Sequence, residues 1–453
     1  GDINAVMNAH NLAMVALTSR MFHEANYSDE VLNKKGLKRL DIDPNRVEMG
    51  WVIDFCAQAL REIVIGLGGP KNGIPMKSRF DIATSSELMA ILSLANNLQE
   101  LRERIGKIVV AHSKSNNPVT TEDLEVAGAM TALMLHTINP NLIQTIEGQP
   151  VFVHAAPFAN IAIGQSSIIA DRIGLKLSEY HVTEAGFGSD IGFEKFWNIK
   201  CRNSGLKPDA AIIVATLRAL KYHGAVEGAP KIIPGNPIPK EYFEKNIDWI
   251  EKGMKNLFHH INIVKKAGIN PVVCINKFHS DTHDELEFVR KTCELAGIPV
   301  AISEHWAKGG QGALELADAV INACQNESGF EFLYDTNLPH ISRIELVARH
   351  IYGADAVEFS STALDKLKNI NSDSEFSDFS ICIAKTHLSL SDNPALRGVP
   401  EGWQLFIRDI LIFKGAKLIV PVAGEINLMP GTASTPNFRK IDIDLNTGKV
   451  TGI

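Results

Sequence analysis

Apolar positions along the chain change rhythm twice, and those changes mark out its organisation. Up to about residue 143 the spacing is mainly helical: Leu12, Val15 and Ala16 fall on one face, and Leu88, Ile91, Leu92 and Ala95 repeat the pattern. Gly66-Leu67-Gly68-Gly69-Pro70 ends one such stretch, and Pro118-Val119-Thr120-Thr121 precedes a helix carrying Leu124, Ala127, Met130 and Met134. With one strand expected near Ile108-Val109-Val110, residues 1–145 read as a helix-rich segment.

Further on, short apolar runs alternate with longer helical patterns, the signature of a parallel sheet covered by helices. Ala211-Ile212-Ile213-Val214-Ala215 is one strand, and Ile247, Ile250, Met254, Leu257, Ile261 and Val264 mark a long helix stopped by Gly268. Pro271-Val272-Val273-Cys274-Ile275 is a strand of the buried type. Thr282 with Glu285 forms a capping box that opens a helix through Leu286, Val289, Cys293 and Leu295, and Gly297 closes it. Ile298-Pro299-Val300-Ala301-Ile302 follows as a second strand, parallel to the first across a βαβ crossover. A doubly wound, mostly parallel sheet is therefore expected over residues 146–322. After Phe330 a helix at 341–351 and strands near Ser380-Ala384 and Lys417-Val422 make residues 323–453 a smaller C-terminal α/β unit.

Composition narrows the function classes. The 453 residues suit about three domains. A net charge of -7 with no basic block gives no reason to expect a nucleic-acid partner. No apolar run approaches the ~18 residues of a membrane span. Six cysteines lie scattered without a CxxC pair, which fits free thiols in a reducing cytoplasm.

Ligands of an open parallel sheet bind beyond the carboxyl ends of its strands. Two loops reach that edge: Asn276-Lys277-Phe278-His279-Ser280-Asp281 and Ser303-Glu304-His305-Trp306-Ala307-Lys308-Gly309-Gly310. If their strands are neighbours, roughly 4.8 Å apart, Phe278 and Trp306 can splay around one flat heterocycle. The alternative is that either ring caps the sheet end as core. Lys277 and Lys308 flank the rings and are suited to a carboxylate or phosphate, or are simply solvated. A second constellation, Val182-Thr183-Glu184-Ala185-Gly186-Phe187-Gly188-Ser189-Asp190, sets an acid in a glycine-rich loop after an expected strand. Glu184 is the candidate metal ligand there; the plainer reading is a tight turn. A third, Val153-His154-Ala155-Ala156-Pro157-Phe158-Ala159-Asn160 through Gly164-Gln165-Ser166-Ser167, opens a helix containing Asp171. His154 is either a catalyst or a hydrogen-bonded structural residue. No Gly-x-x-x-x-Gly-Lys-[Ser/Thr], no Gly-x-Gly-x-x-Gly and no zinc-type His spacing occurs in the 453 residues.

The second and third constellations, with Lys200-Cys201-Arg202, closely resemble the formate–tetrahydrofolate ligase family. The likeness runs through the chain: Gly1-Asp2-Ile3 with Ala9-His10-Asn11-Leu12, Phe80-Asp81-Ile82, Gly128-Ala129-Met130-Thr131, Trp306-Ala307-Lys308-Gly309-Gly310, Ala384-Lys385-Thr386 and Met429-Pro430-Gly431. It implies a P-loop-NTPase-like α/β fold and a cytoplasmic, homotetrameric enzyme. In the implied reaction ATP phosphorylates formate and the N10 amine of tetrahydrofolate attacks formyl phosphate, with magnesium and a monovalent cation (potassium or ammonium) as helpers. It places the pterin between Phe278 and Trp306, with Ile302 lining the pocket and Lys308, Gly309 and Gly310 bordering it. Glu184 and His154 are the candidate catalytic groups, Glu184 also for magnesium, and Asn276 is the candidate nucleotide contact.

Ile163 stands where many members of the family have His, and Cys56-Ala57-Gln58 replaces a more polar run. The family's P-loop lies ahead of the motif with which this chain starts, so Gly1 reads as the edge of a longer ligase, and the chain alone is expected to bind folate without formylating it. Two other readings are a nucleotide switch related to P-loop proteins and an inactive scaffold. Asn276-Lys277 matches the start of a guanine-reading Asn-Lys-x-Asp loop, but Asp281 comes too late for that spacing.

Overall fold

In the computed structural model, which describes residues 1–226, 228–232 and 236–452, the N-terminal layer is built on a long helix, α1 (Asp2–Asn26). Its buried stripe is Val6, Ala9, Ala13, Met14, Leu17 and Met21, whereas Val15 is half exposed. The expected face was thus out of phase, because small alanines carry much of the contact. A second helix, α2 (Glu87–Leu94), is buried along nearly its whole length, with Ser86 capping it by accepting the Leu88 N–H. Helices Leu98–Gly106 and Ala127–Leu133 complete the layer.

This segment holds more strand than its periodicity suggests. Val109–Ser113 sits centrally between Ile42–Val47 and Pro118–Thr120 in an antiparallel sheet. Gly66 to Pro70 ends no helix. It lies in the connection of a hairpin pairing Ile63–Ile65 with Met76–Ser78, where the positive φ of Gly66 and the close Ile74 carbonyl leave no room for a side chain.

A second hairpin, β1 (Asn141–Gln144) and β2 (Pro150–Val153), precedes α3 (Ile168–Leu177). No strand separates α3 from the Glu184 loop: residues 178–187 are irregular, contrary to expectation. Two π-helical turns, Ser189–Phe193 and Phe196–Lys200, then lead towards the sheet.

The parallel sheet consists of β3 (Ala210–Ala215), β4 (Asn270–Asn276) and β5 (Val300–Ser303), separated by α4 (Leu217–Gly224), α5 (Ile247–Lys266) and α6 (His283–Leu295). Leu217, Leu220, Ile250, Met254, Leu257, Leu286 and Val289 from these helices share one core with Ala215, Val273 and Ile275. A further helix, α7 (Leu314–Cys324), packs on all three strands. Among the described residues this sheet has three strands in sequential order, with no reversal of direction across it. A doubly wound sheet carries a strand-order switch, and among the described residues this sheet shows none. The Thr282/Glu285 capping box and the left-handed Gly297 are both present, so the β4–α6–β5 unit has the expected bounds within two residues.

The C-terminal unit carries α8 (His340–Val347), β6 (Ala356–Phe359), α9 (Ser361–Ser372), β7 (Ser380–Ile381), β8 (Gln404–Phe413) and β9 (Leu418–Ala423). Its sheet runs β6-β8-β9-β7, with only β8 and β9 antiparallel. It shares a core with Phe193, Trp197, Ile263 and Val264, which ties the second and third expected regions together. No helix among the described residues is long and apolar enough to cross a membrane.

Candidate functional site

The carboxyl ends of β4 and β5 lie side by side. Asn276 is in register with Ser303, and the Lys277 N–H donates to the Ser303 carbonyl at 3.1 Å. The Phe278 and Trp306 loops therefore leave neighbouring strands at one edge, as the order of elements predicts. Phe278 is held by its own turn, its N–H donating to Asp281 Oδ2 at 2.8 Å, and the Arg218 guanidinium sits 3.9 Å from its ring centre. Arg218 comes from the start of α4, so the third strand end also serves this edge. Trp306, on the short helix His305–Lys308, is 93% exposed. Ile302 is half-buried and packs on the core beneath α4 to α6.

One carboxylate organises the charge here. Glu304 accepts from Lys277 Nζ at 2.7 Å and from Lys308 Nζ at 2.5 Å, and these two bonds hold its carboxyl down at about 2. The two lysines expected to flank the rings are thus present but joined through Glu304. Gly309 and Gly310 follow, and the Gly310 N–H donates to Glu147 Oε1 at 2.6 Å, a residue from the tip of the β1–β2 hairpin.

The two other candidates lie on different elements. His154, just after β2, is buried, with Nδ1 at 2.5 Å from Ser167 Oγ and Nε2 at 2.5 Å from the Thr137 carbonyl. Burial pushes its imidazole below the usual range. Both ring nitrogens are committed, and Ser167 in turn caps α3. Glu184 is exposed in the irregular loop after α3. Among the described residues no group of three or more His, Cys, Asp or Glu side chains is arranged to hold a metal ion. A lone accessible carboxylate suits a magnesium ion whose remaining ligands are water and substrate phosphate oxygens, not an all-protein cage.

That loop leads into a buried polar network. Asp190 pairs with Lys385 Nζ at 2.8 Å, both almost fully buried, and Ser189 Oγ lies 2.7 Å from His260 Nδ1. Phe187 stacks on His387 with ring centres 4.6 Å apart. Burial pushes the Asp190 carboxyl up, but Lys385, His260 and its hydrogen bonds outweigh that and hold it below the ordinary range. Nearby Glu194, buried and with Oε2 unpartnered, is pushed up to about 7 by burial.

Comparison with known proteins decides the family. The profile described as formate–tetrahydrofolate ligase matches residues 1–453. The chain belongs to the formate–tetrahydrofolate ligase family. A protein named formate–tetrahydrofolate ligase from Thermodesulfovibrio yellowstonii is 80% identical over 453 residues, covering 100% of this chain and 77% of that protein. Relatives of the same name from Desulforapulum autotrophicum and Desulfotalea psychrophila are 62% and 60% identical, again over the whole chain and over 77% and 81% of their own lengths.

In this ligase-family chain three of the motifs carrying the likeness fall at two places. Trp306-Ala307-Lys308-Gly309-Gly310 forms the β5 edge, while Gly186 to Asp190 meets Ala384-Lys385-Thr386 in the buried network. Sequence reading passed over Glu304, Arg218 and Glu147. The first two carried a usable signal, since each sits just beyond a strand of the sheet. Glu147 carried none, because its partner is 163 residues away.

Proposed function

We propose that this chain contributes the folate site to an ATP-dependent ligation of formate to tetrahydrofolate, with the pterin stacked between Phe278 and Trp306. The observation that carries this reading is the pair of aromatic loops leaving adjacent parallel strands, with the Trp306 indole in solvent. Stacking of a flat base on an aromatic side chain is worth about 1–3 kcal/mol per ring in nucleic-acid cases. Arg218 behind Phe278 fixes that ring, Ile302 floors the site, and Lys308, Gly309 and Gly310 border it.

The reaction proceeds in two transfers. A formate oxygen attacks the γ-phosphorus of ATP, forming a P–O bond as ADP leaves, and gives formyl phosphate. The tetrahydrofolate N10 then attacks the formyl carbon; the N–H proton is lost, phosphate departs and 10-formyltetrahydrofolate results. Glu184 would hold a magnesium ion, which would supply charge neutralisation on the phosphates. A monovalent cation, a homotetrameric assembly and a cytoplasmic setting belong to the same reading. Asn276, at the end of β4, is the nucleotide contact in this reading. His154 keeps the 154–167 loop in shape through its two hydrogen bonds.

Calorimetric titration of tetrahydrofolate into the chain and into its Trp306→Ala variant tests the clamp. Losing one stacking face weakens binding by about tenfold with unchanged thermal stability. Equal affinities would sink the assignment.

A further inference from the structure

We propose that Glu147 is a positioning residue for the folate clamp: the tip of the β1–β2 hairpin latches the Trp306 loop in the shape that receives the pterin. This rests on the folate reading above and adds to it a residue outside the sheet.

The loop from Glu304 to Gly312 stands at the sheet edge as a short helical turn, with the Ala307 and Lys308 N–H groups donating to the Glu304 carbonyl at 3.0 Å. At its base Glu304 bridges Lys277 and Lys308, and the Glu304 N–H donates to the Gly312 carbonyl at 2.9 Å. Between those points Trp306 is in solvent, so burial does not hold it. The Gly310 N–H is the place where a distant element grips the loop, through the Glu147 carboxylate at 2.6 Å. A bond from an amide to an ionised carboxylate is roughly twice as strong as a neutral one.

Two features make this contact a fitted one. First, the glycines accommodate the carboxylate: a Cβ on Gly310 would run into Glu147 Oε2, and one on Gly309 would lie 2.7 Å from Oε1. Gly309 also has φ +59 with an extended ψ, a conformation that ordinary side chains rarely adopt. Second, the hairpin tip has no apolar reason to be where it is. Ile146 is fully exposed beside Glu147, and Leu142 and Ile143 on β1 are more than half exposed. The turn is preformed by the Thr145 N–H donating to the Gln149 carbonyl at 2.9 Å and by Gln149 N–H donating to Thr145 Oγ1 at 3.1 Å, which presents Glu147 outward.

The consequence is preorganisation. A loop already held in its binding shape loses less freedom when the ligand arrives, and that saving appears as affinity. Glu147 touches the loop and not the reacting atoms, so its removal alters folate binding and leaves the fold intact.

The test uses the 453-residue chain and tetrahydrofolate as the probe. Glu147→Ala weakens binding by about five- to tenfold, as expected for losing one charge-assisted bond at an exposed site. Glu147→Gln, which keeps an amide oxygen for the Gly310 N–H, stays within about twofold of wild type. Both variants melt at the wild-type temperature. Independently of ligand, nitrogen-15 relaxation of the Trp306 indole N–H shows greater mobility in Glu147→Ala than in wild type or Glu147→Gln. If Glu147→Ala leaves both affinity and indole mobility unchanged while Trp306→Ala binds weakly, the latch is refuted and the clamp stands. If Trp306→Ala also binds like wild type, it is the folate reading that fails.

Discussion

The Asp190–Lys385 pair allows a sharp test of how the buried network is held. Lys385 has no exposed side-chain surface and Asp190 only 7%. The Lys385 ammonium also donates to the Ser389 carbonyl at 2.6 Å and the Thr386 carbonyl at 3.0 Å, and lies 4.9 Å from the Tyr352 ring centre. Lys385→Met keeps the chain length but strands the Asp190 carboxylate in the interior. Removing one member of a buried pair costs about 3–5 kcal/mol, mostly for the charge left behind. Asp190→Asn leaves Lys385 with its two carbonyl acceptors and costs less, about 1–3 kcal/mol. The double variant therefore falls short of the sum by about 2 kcal/mol, the mark of direct coupling. The pH dependence has a defined sign. The paired Asp190 carboxyl is held below its unfolded value, so its contribution is present above about pH 3.9 and is lost as pH falls through the folded value. Without Lys385 the same carboxyl rises, and protonating it relieves the strain, so the variant's deficit shrinks between pH 7.5 and pH 5. Urea unfolding followed by tryptophan fluorescence reads both quantities. A deficit below about 1 kcal/mol, or one equal at the two pH values, refutes the reasoning.

Other outcomes follow from the same physics. Glu87 Oε1 accepts the Gly415 and Ala416 N–H groups at 2.7 and 3.1 Å, yet burial raises its carboxyl from 4.5 to about 7. Stability from this group is complete below about pH 4.5 and is lost as pH rises through 7, so Glu87→Gln gains on wild type by up to ~2–3 kcal/mol towards pH 8. Parallel stability–pH curves for the two proteins would contradict this. Burial pushes the Cys201 thiol up to about 12 and Cys293 up to about 11, while Cys56 is exposed. A thiol reagent therefore modifies Cys56 first in the native chain, and modification of Cys201 at a similar rate would show that its surroundings open.

The β4–α6–β5 unit was legible in the sequence because its signals are local. The Thr282/Glu285 box, the left-handed Gly297 and the apolar runs of β4 and β5 each act within a few residues. Strand adjacency then placed Phe278 and Trp306 on one edge without any knowledge of tertiary contacts. What stayed hidden depends on distant partners. Lys385 finds Asp190 across the chain, and Glu147 finds Gly310 through a hairpin whose residues look like any polar turn. The phase of α1 was misread for a different reason: Ala9 and Ala13 bury fully but carry little weight in a hydrophobic pattern, so Val15 drew the face towards itself. The irregular approach to Glu184 shows the limit of apolar patterning too, since Val182 is exposed there and belongs to no strand.

The most direct measurement is a crystal structure of the chain with tetrahydrofolate bound. The account predicts the pterin between the Phe278 and Trp306 rings, above Ile302, with Glu147 still seated on Gly310. A pterin bound elsewhere, such as against the Glu184–Phe187 loop, with Trp306 still in solvent, would contradict it.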